Sequence, residues 1–230
     1  MTDEVDQLVE GYHALGNAGH GDLVWGHVAL RDASTGGFWM KAAGWGFDEV
    51  TRDRLVLLSS DGSMLAGTGP RHVEWPIHAE ILRVRPEVSA VVHTHAGAAV
   101  VFASLATPLR AISHDGVPFA APDVPRFTET ADLIRSAELG AALAATLGDA
   151  NGVLIPGHGL VTAAATLAEA AMYAVLLDRA CAHQLRALQA GGPRLWSDAS
   201  EVAAKQSMWT PASLASGFDY LVRRAHESRR

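Results

Sequence analysis

The sequence of 230 residues holds one cysteine, Cys181. No internal disulfide can form, and a lone thiol suits a reducing compartment. Long apolar runs are missing too, since none approaches the roughly 20 residues that an α-helix needs to cross a bilayer. The opening Met1-Thr2-Asp3-Glu4 has no apolar signal core. Positive charge is scarce: 18 lysines and arginines face 25 aspartates and glutamates, for a net charge of -7 and a pI near 5.8. The basic residues are scattered except at the extreme C-terminus, which argues against nucleic acid as a partner. Internal repeats and low-complexity tracts are absent. What remains reads as a soluble, cytoplasmic chain with enough length for one sizeable core.

Within that chain the richest stretch is Ala90-Val91-Val92-His93-Thr94-His95. The β-branched run reads as a strand, and side chains two apart on a strand point to one face, so His93 and His95 aim together. Neutral imidazoles are ligands that Zn, Mn, Fe and Co all accept. A third candidate is His158, in the glycine-flanked turn Ile155-Pro156-Gly157-His158-Gly159 that follows an apolar run. Taken alone, H-x-H reads equally as two core or surface histidines. With His158, it reads as a divalent metal site.

In chain order, residues 4 to 20 have helical spacing, with Gly16-Asn17-Ala18-Gly19 ending the helix. Strands are expected at 23–31, 38–42, 55–58 and 64–65, the last two joined by the hairpin signal Ser60-Asp61-Gly62-Ser63. His20-Gly21-Asp22 reads as a turn, or as a loop whose backbone N–H groups face a ligand. A helix follows from Pro76 to Pro86, with Trp75 as its cap and Glu74 just outside. If that helix packs on the H-x-H strand, Glu74 stands at the mouth of the cleft, as a fourth ligand or a proton acceptor. Without the metal pair it would read as an acid favoured by the helix dipole. His78, one turn on, either orients that carboxylate or covers it. A small-residue helix is expected over 96–105, and short strands over 108–112 and 117–119, around a turn that brings His114 and Asp115 near the cleft. An amphipathic helix is expected over 128–147, and a long helix over 166–189, opened by Thr166 and Glu169. Residues 1–190 read as one domain. Residues 191–230 read as a helical tail, with Trp209, Leu214, Phe218, Tyr220 and Leu221 exposed, that packs on the domain or a neighbouring subunit.

The combination of Glu74-Trp75-Pro76-Ile77-His78, Arg85 through His95, and Pro156-Gly157-His158-Gly159 followed by Thr166-Leu167-Ala168-Glu169-Ala170 resembles the class II aldolase and adducin family. The resemblance covers about Gly16 to Arg186. It implies an α/β fold: a single three-layer domain with a central, mainly antiparallel sheet flanked by helices. It also implies a metal held by His93, His95 and His158, an acidic catalytic residue at Glu74, and a homotetramer with active sites at subunit interfaces.

This sequence departs from the sugar-phosphate members of that family. Where they hold phosphate with a Ser-Ser pair and a Gly-Asn step, it has His72-Val73 and Gly26-His27. Arg71, His72 and His27 offer donors suited to a carboxylate. The tyrosine that aldolase members bring from a neighbouring subunit has no match, and Asp123 or His114 falls in that region. These departures resemble the family's hydroxy-aromatic carboxylate decarboxylases. The expected enzyme is therefore a metal-dependent carbon–carbon lyase that decarboxylates a hydroxylated aromatic (di)carboxylate, with Zn or Mn (or Fe or Co) as cofactor. Glu74 or His114 would be its proton donor, and Trp25, Trp45 and Phe47 could wall the ring. The alternative is a class II aldolase acting on a sugar or hydroxy-acid derivative. A cupin-type dioxygenase would carry its acid soon after H-x-H, where residues 96–105 have none. A non-catalytic, adducin-like interaction protein would keep the fold but lose the site.

Overall fold

The computed structural model describes residues 3–130 and 132–229; Met1 and Thr2 of the acidic opening, Ala131 within the helix expected over 128–147, and Arg230 lie outside them. Strands β1 (His27–Arg31), β2 (Phe38–Lys41), β3 (Leu55–Leu58), β4 (Met64–Gly67), β5 (Ala90–Thr94), β6 (Gly152–Ile155) and β7 (Gly159–Ala164) form one seven-stranded sheet. Its order is β4-β3-β2-β1-β5-β7-β6, and every neighbouring pair is antiparallel. The helices are α1 (Glu4–Leu15), α2 (Trp75–Val84), α3 (Gly97–Ala103), α4 (Ala137–Leu147), α5 (Leu167–Gln189), α6 (Ala199–Gln206) and α7 (Pro211–Ser228).

Strand β5, inside the sheet between β1 and β7, is apolar on both faces at its start, so it is covered on both. Ala90 and Val92 join one core with Tyr12 of α1, Phe102 of α3, Leu177 of α5 and Phe218 of α7. Val91 joins the other, with Ile77 and Ile81 of α2 and Leu143 and Leu147 of α4. This is the expected three-layer arrangement. Register then does the positioning: His93 of β5 lies opposite His27 of β1 and Val161 of β7, and cross-strand partners share a face.

Several elements differ from expectation. β1 starts at His27 rather than at 23, because Leu23 (φ 47°) and Gly26 (φ 59°) turn the backbone. The strands expected at 108–112 and 117–119 reduce to one bridge, Ala111 to Ser197, and a 3₁₀ stretch over His114–Phe119. The helix expected from 128 begins only at Ala137, where the Ser136 hydroxyl accepts the Leu139 N–H. The irregular residues before it keep the Ile134 N–H outside any helix ladder, and it donates to Glu74 instead. The tail does not lie bare. α7 packs on α1 and α5, and Leu214 and Phe218 are buried in the domain's own core, while Tyr220 is exposed.

Candidate metal centre and pocket

His93 stands at the end of β5 and is fully buried, and His95 follows one residue beyond the strand. His158 sits in the tight turn between β6 and β7, where Gly157 adopts φ 69° and Gly159 lies flat against the Thr94 carbonyl with no room for a Cβ. The three rings meet in space, with centroids 4.9 to 5.0 Å apart.

Hydrogen bonds settle which nitrogens are bare. The His93 Nδ1–H donates to the Leu160 carbonyl at 2.9 Å, and the His95 Nδ1–H donates to the Asp22 carboxylate at 2.7 Å. In a neutral ring whose N–H is at Nδ1 the Nε2 carries the lone pair, and the two Nε2 atoms face each other at 3.1 Å. Two nitrogen lone pairs so placed can share one cation. The His158 Nε2 is buried with no hydrogen-bond partner. With one Glu74 oxygen, these donor atoms all lie within 4.8 Å of one another. Ligands at about 2.0–2.1 Å from a tetrahedral ion sit roughly 3.4 Å apart, so the set fits a divalent metal with small adjustments. Burial pushes the His93 imidazole well below its usual pKa, a shift that neighbouring His158 adds to, and neutral is the form a metal needs.

Glu74, not Trp75, occupies the N-cap position of α2, makes no side-chain capping bond, and is 5% exposed. Its Oε1 accepts the Ile134 N–H at 2.8 Å and lies 3.5 Å from His158 Nε2, while Oε2 is 3.9 Å from His93 Nε2. Burial alone would raise its pKa. The neighbouring His158 and His93 and the Ile134 N–H outweigh that and hold it at about 2, so the carboxylate is ionised.

The cluster opens into a cavity of about 400 Å³, lined among others by Trp25, His27, His72, Val73 and Leu133. Behind the lining lies a second row of buried polar groups. His27 Nδ1 is 2.6 Å from His78 Nε2. Lys41, fully buried, donates to the Val24 carbonyl at 2.8 Å and lies 3.0 Å from His72 Nε2. Burial lowers the Lys41 amine to about 7 and the His78 imidazole to about 3; burial and then the charge of Lys41 lower His72 to about 3.

The structure thus brings together Glu74, His93, His95, His158, His27 and His72. It does not bring in the other candidates. His114 is exposed over a separate small hollow beside Ser197 and Lys205. Asp123 accepts the Leu109 N–H and pairs with Arg126 in a different groove. Arg71 bonds to the Gly62 carbonyl and lies over Trp75. Of the three aromatic residues, only Trp25 lines the pocket; Phe47 is buried edge-on to Tyr12, and Trp45 stacks with Arg54. Sequence reasoning missed Asp22 as a side-chain partner of His95, and Lys41 altogether. A lysine closing an otherwise apolar strand, Phe38-Trp39-Met40-Lys41, was the available signal.

Residues 6–185 match the family described as the class II aldolase and adducin N-terminal domain. The chain is 30% identical over 190 residues to a 3,4-dihydroxyphthalate decarboxylase of Arthrobacter keyseri, covering 77% of this chain and 76% of that one. It is 33% identical over 159 residues to the decarboxylase NovR of Streptomyces niveus, covering 68% of this chain but only 58% of that one. In fold it is similar to an L-fuculose 1-phosphate aldolase from Glaciozyma antarctica, with a TM-score of 0.85 at 24% identity, over 98% of this chain and 89% of the other.

Proposed function

Because the chain belongs to the class II aldolase and adducin family and is similar to carbon–carbon lyases within it, we propose that it is a metal-dependent decarboxylase of hydroxylated aromatic carboxylates. The observation that carries this reading is the pairing of an ionised Glu74 and three inward-facing imidazoles with a pocket whose remaining polar lining is His27 and His72. In this reading His93, His95 and His158 hold a divalent ion, Zn or Mn, with Fe or Co also admitted by the donor set. When bound, the ion would act as a Lewis acid, drawing electron density away from the bond to the departing carbon.

The protein's own groups do the rest. Glu74 accepts the proton of a substrate hydroxyl, and the same carboxyl returns a proton to the ring carbon once carbon dioxide has left. His27 and His72 receive a substrate carboxylate, and Trp25, Val73 and Leu133 give the ring an apolar wall. His114 and Asp123 line other hollows of the same chain, so in a homotetramer they would act only on a neighbouring copy's pocket.

The test is to incubate zinc- or manganese-loaded protein with hydroxy-aryl dicarboxylates, 3,4-dihydroxyphthalate among them, and separately with sugar phosphates, recording carbon dioxide and aldehyde. Carbon dioxide from the aryl acids is expected. His93→Ala should abolish it together with metal content. Glu74→Gln should retain metal and lose about 10²–10⁴ in rate. Aldehyde from a sugar phosphate, with no carbon dioxide from the aryl acids, would replace this reading with the aldolase one.

A further inference from the structure

We infer that His78 is a positioning residue that fixes the tautomer of His27, so that His27 presents its Nε2–H to the pocket as a donor for a substrate carboxylate oxygen. The carboxylate in that statement rests on the decarboxylase reading above; the tautomer does not.

His78 lies on α2, one turn after Glu74. It is fully buried and not part of the pocket lining, so it acts through its neighbour. That neighbour is His27, whose Nδ1 lies 2.6 Å from His78 Nε2. The other nitrogen of His78, Nδ1, is buried with no partner. A separation of 2.6 Å requires one hydrogen between the two rings, and each neutral imidazole carries a single N–H. Two arrangements satisfy this. If His27 donated from Nδ1, His78 would have to carry its own hydrogen on Nδ1, leaving a buried N–H with nothing to bond. If His78 donates from Nε2, what is left at its Nδ1 is an unused lone pair. Orphaned buried N–H groups are the rarer and costlier of the two, so His78 donates.

Everything else follows from counting. His27 accepts at Nδ1, its hydrogen is therefore on Nε2, and Nε2 is the nitrogen that remains for the pocket that His27 lines. In the opposite tautomer the pocket would meet a bare nitrogen, which repels the lone pairs of a carboxylate. The second histidine thus decides whether the first attracts or rejects an anionic oxygen. His27 is also excluded as a proton acceptor, which leaves that task to Glu74.

The tautomers can be read directly from two-bond ¹H–¹⁵N correlations on zinc-loaded, full-length protein labelled at histidine, with His27→Gln identifying the His27 signals. His27 and His78 are both expected to be protonated at Nε2. Phthalate binding, followed by calorimetry, supplies the functional arm. His78→Gln keeps an amide N–H to donate and should bind phthalate within about threefold of wild type. His78→Met has similar bulk and no donor; it should leave His27 in mixed tautomers and weaken phthalate about tenfold or more. A wild-type His27 protonated at Nδ1 overturns the inference, as does a His78→Met protein with unchanged tautomer and affinity. If that variant does not fold, the wild-type spectrum alone decides. The expected tautomers without phthalate binding would sink the carboxylate assignment, and the decarboxylase reading with it, but not the role of His78.

Discussion

At the scale of single residues, buried and half-buried groups stand behind the candidate metal ligands. Asp22 holds the His95 ring by its Nδ1–H, and such partners typically contribute 10–100-fold to metal affinity. Asp22→Ala should therefore weaken zinc by about that factor in a chelator competition, with the fold intact by circular dichroism. Lys41 has a different signature. Its amine is lowered by burial from 10.5 to about 7. Between those values the unfolded chain binds a proton that the folded chain has released, so stability rises with pH; below about 7 the full cost of burying the charge remains. Lys41→Met removes this dependence. In urea titrations between pH 7 and 9, the stability of wild type relative to the variant should grow by up to about 1.4 kcal/mol per pH unit. A constant difference would place the Lys41 pKa outside this window.

At the scale of elements, the candidate metal centre is built on close backbone approaches that leave no room for a Cβ. A Cβ on Gly159 would collide with the Thr94 carbonyl, between His158 and the H-x-H strand. Gly159→Ala should cost about 1–3 kcal/mol and release metal, seen as a lowered urea midpoint and an empty site. Gly140→Ala puts a Cβ 2.7 Å from the Pro76 carbonyl, where α4 crosses α2 just below Glu74. It should cost a similar amount while leaving metal content near normal. These elements also show what the sequence could and could not say. The H-x-H strand was legible because a period of two is a local property, and the Glu74 helix because Pro76 marks its start. The bond between Asp22 and His95 spans 73 residues, and that between Lys41 and His72 spans 31, so no local pattern encodes either. The overlong helix expected from 128 failed for a similar reason: the Ile134 N–H is taken by a carboxylate 60 residues away. His114 and Asp123 were placed by analogy with the chain order of relatives, and chain order does not place them in this subunit's pocket.

At the scale of the whole molecule, α7 packs on α1 and α5 and shares their core. Leu214 is 1% exposed in the core shared by α1, α5 and α7. Leu214→Ala should cost about 2–5 kcal/mol, read in thermal or urea unfolding, with no change of mass in light scattering; dissociation at unchanged stability would instead show a tail that serves a neighbouring subunit. Among the described residues no helix is long and apolar enough to cross a membrane. One further consequence comes from where the imidazoles sit along the chain. β5 delivers two of them, but the third arrives only with the turn that lays β7 against β5, some two-thirds of the way along the sequence. A polypeptide still emerging from the ribosome lacks the third imidazole until that hairpin closes. The three-imidazole cluster is thus complete only once β7 has joined the sheet, so the geometry that suits an ion follows the pairing of β5, β7 and β6.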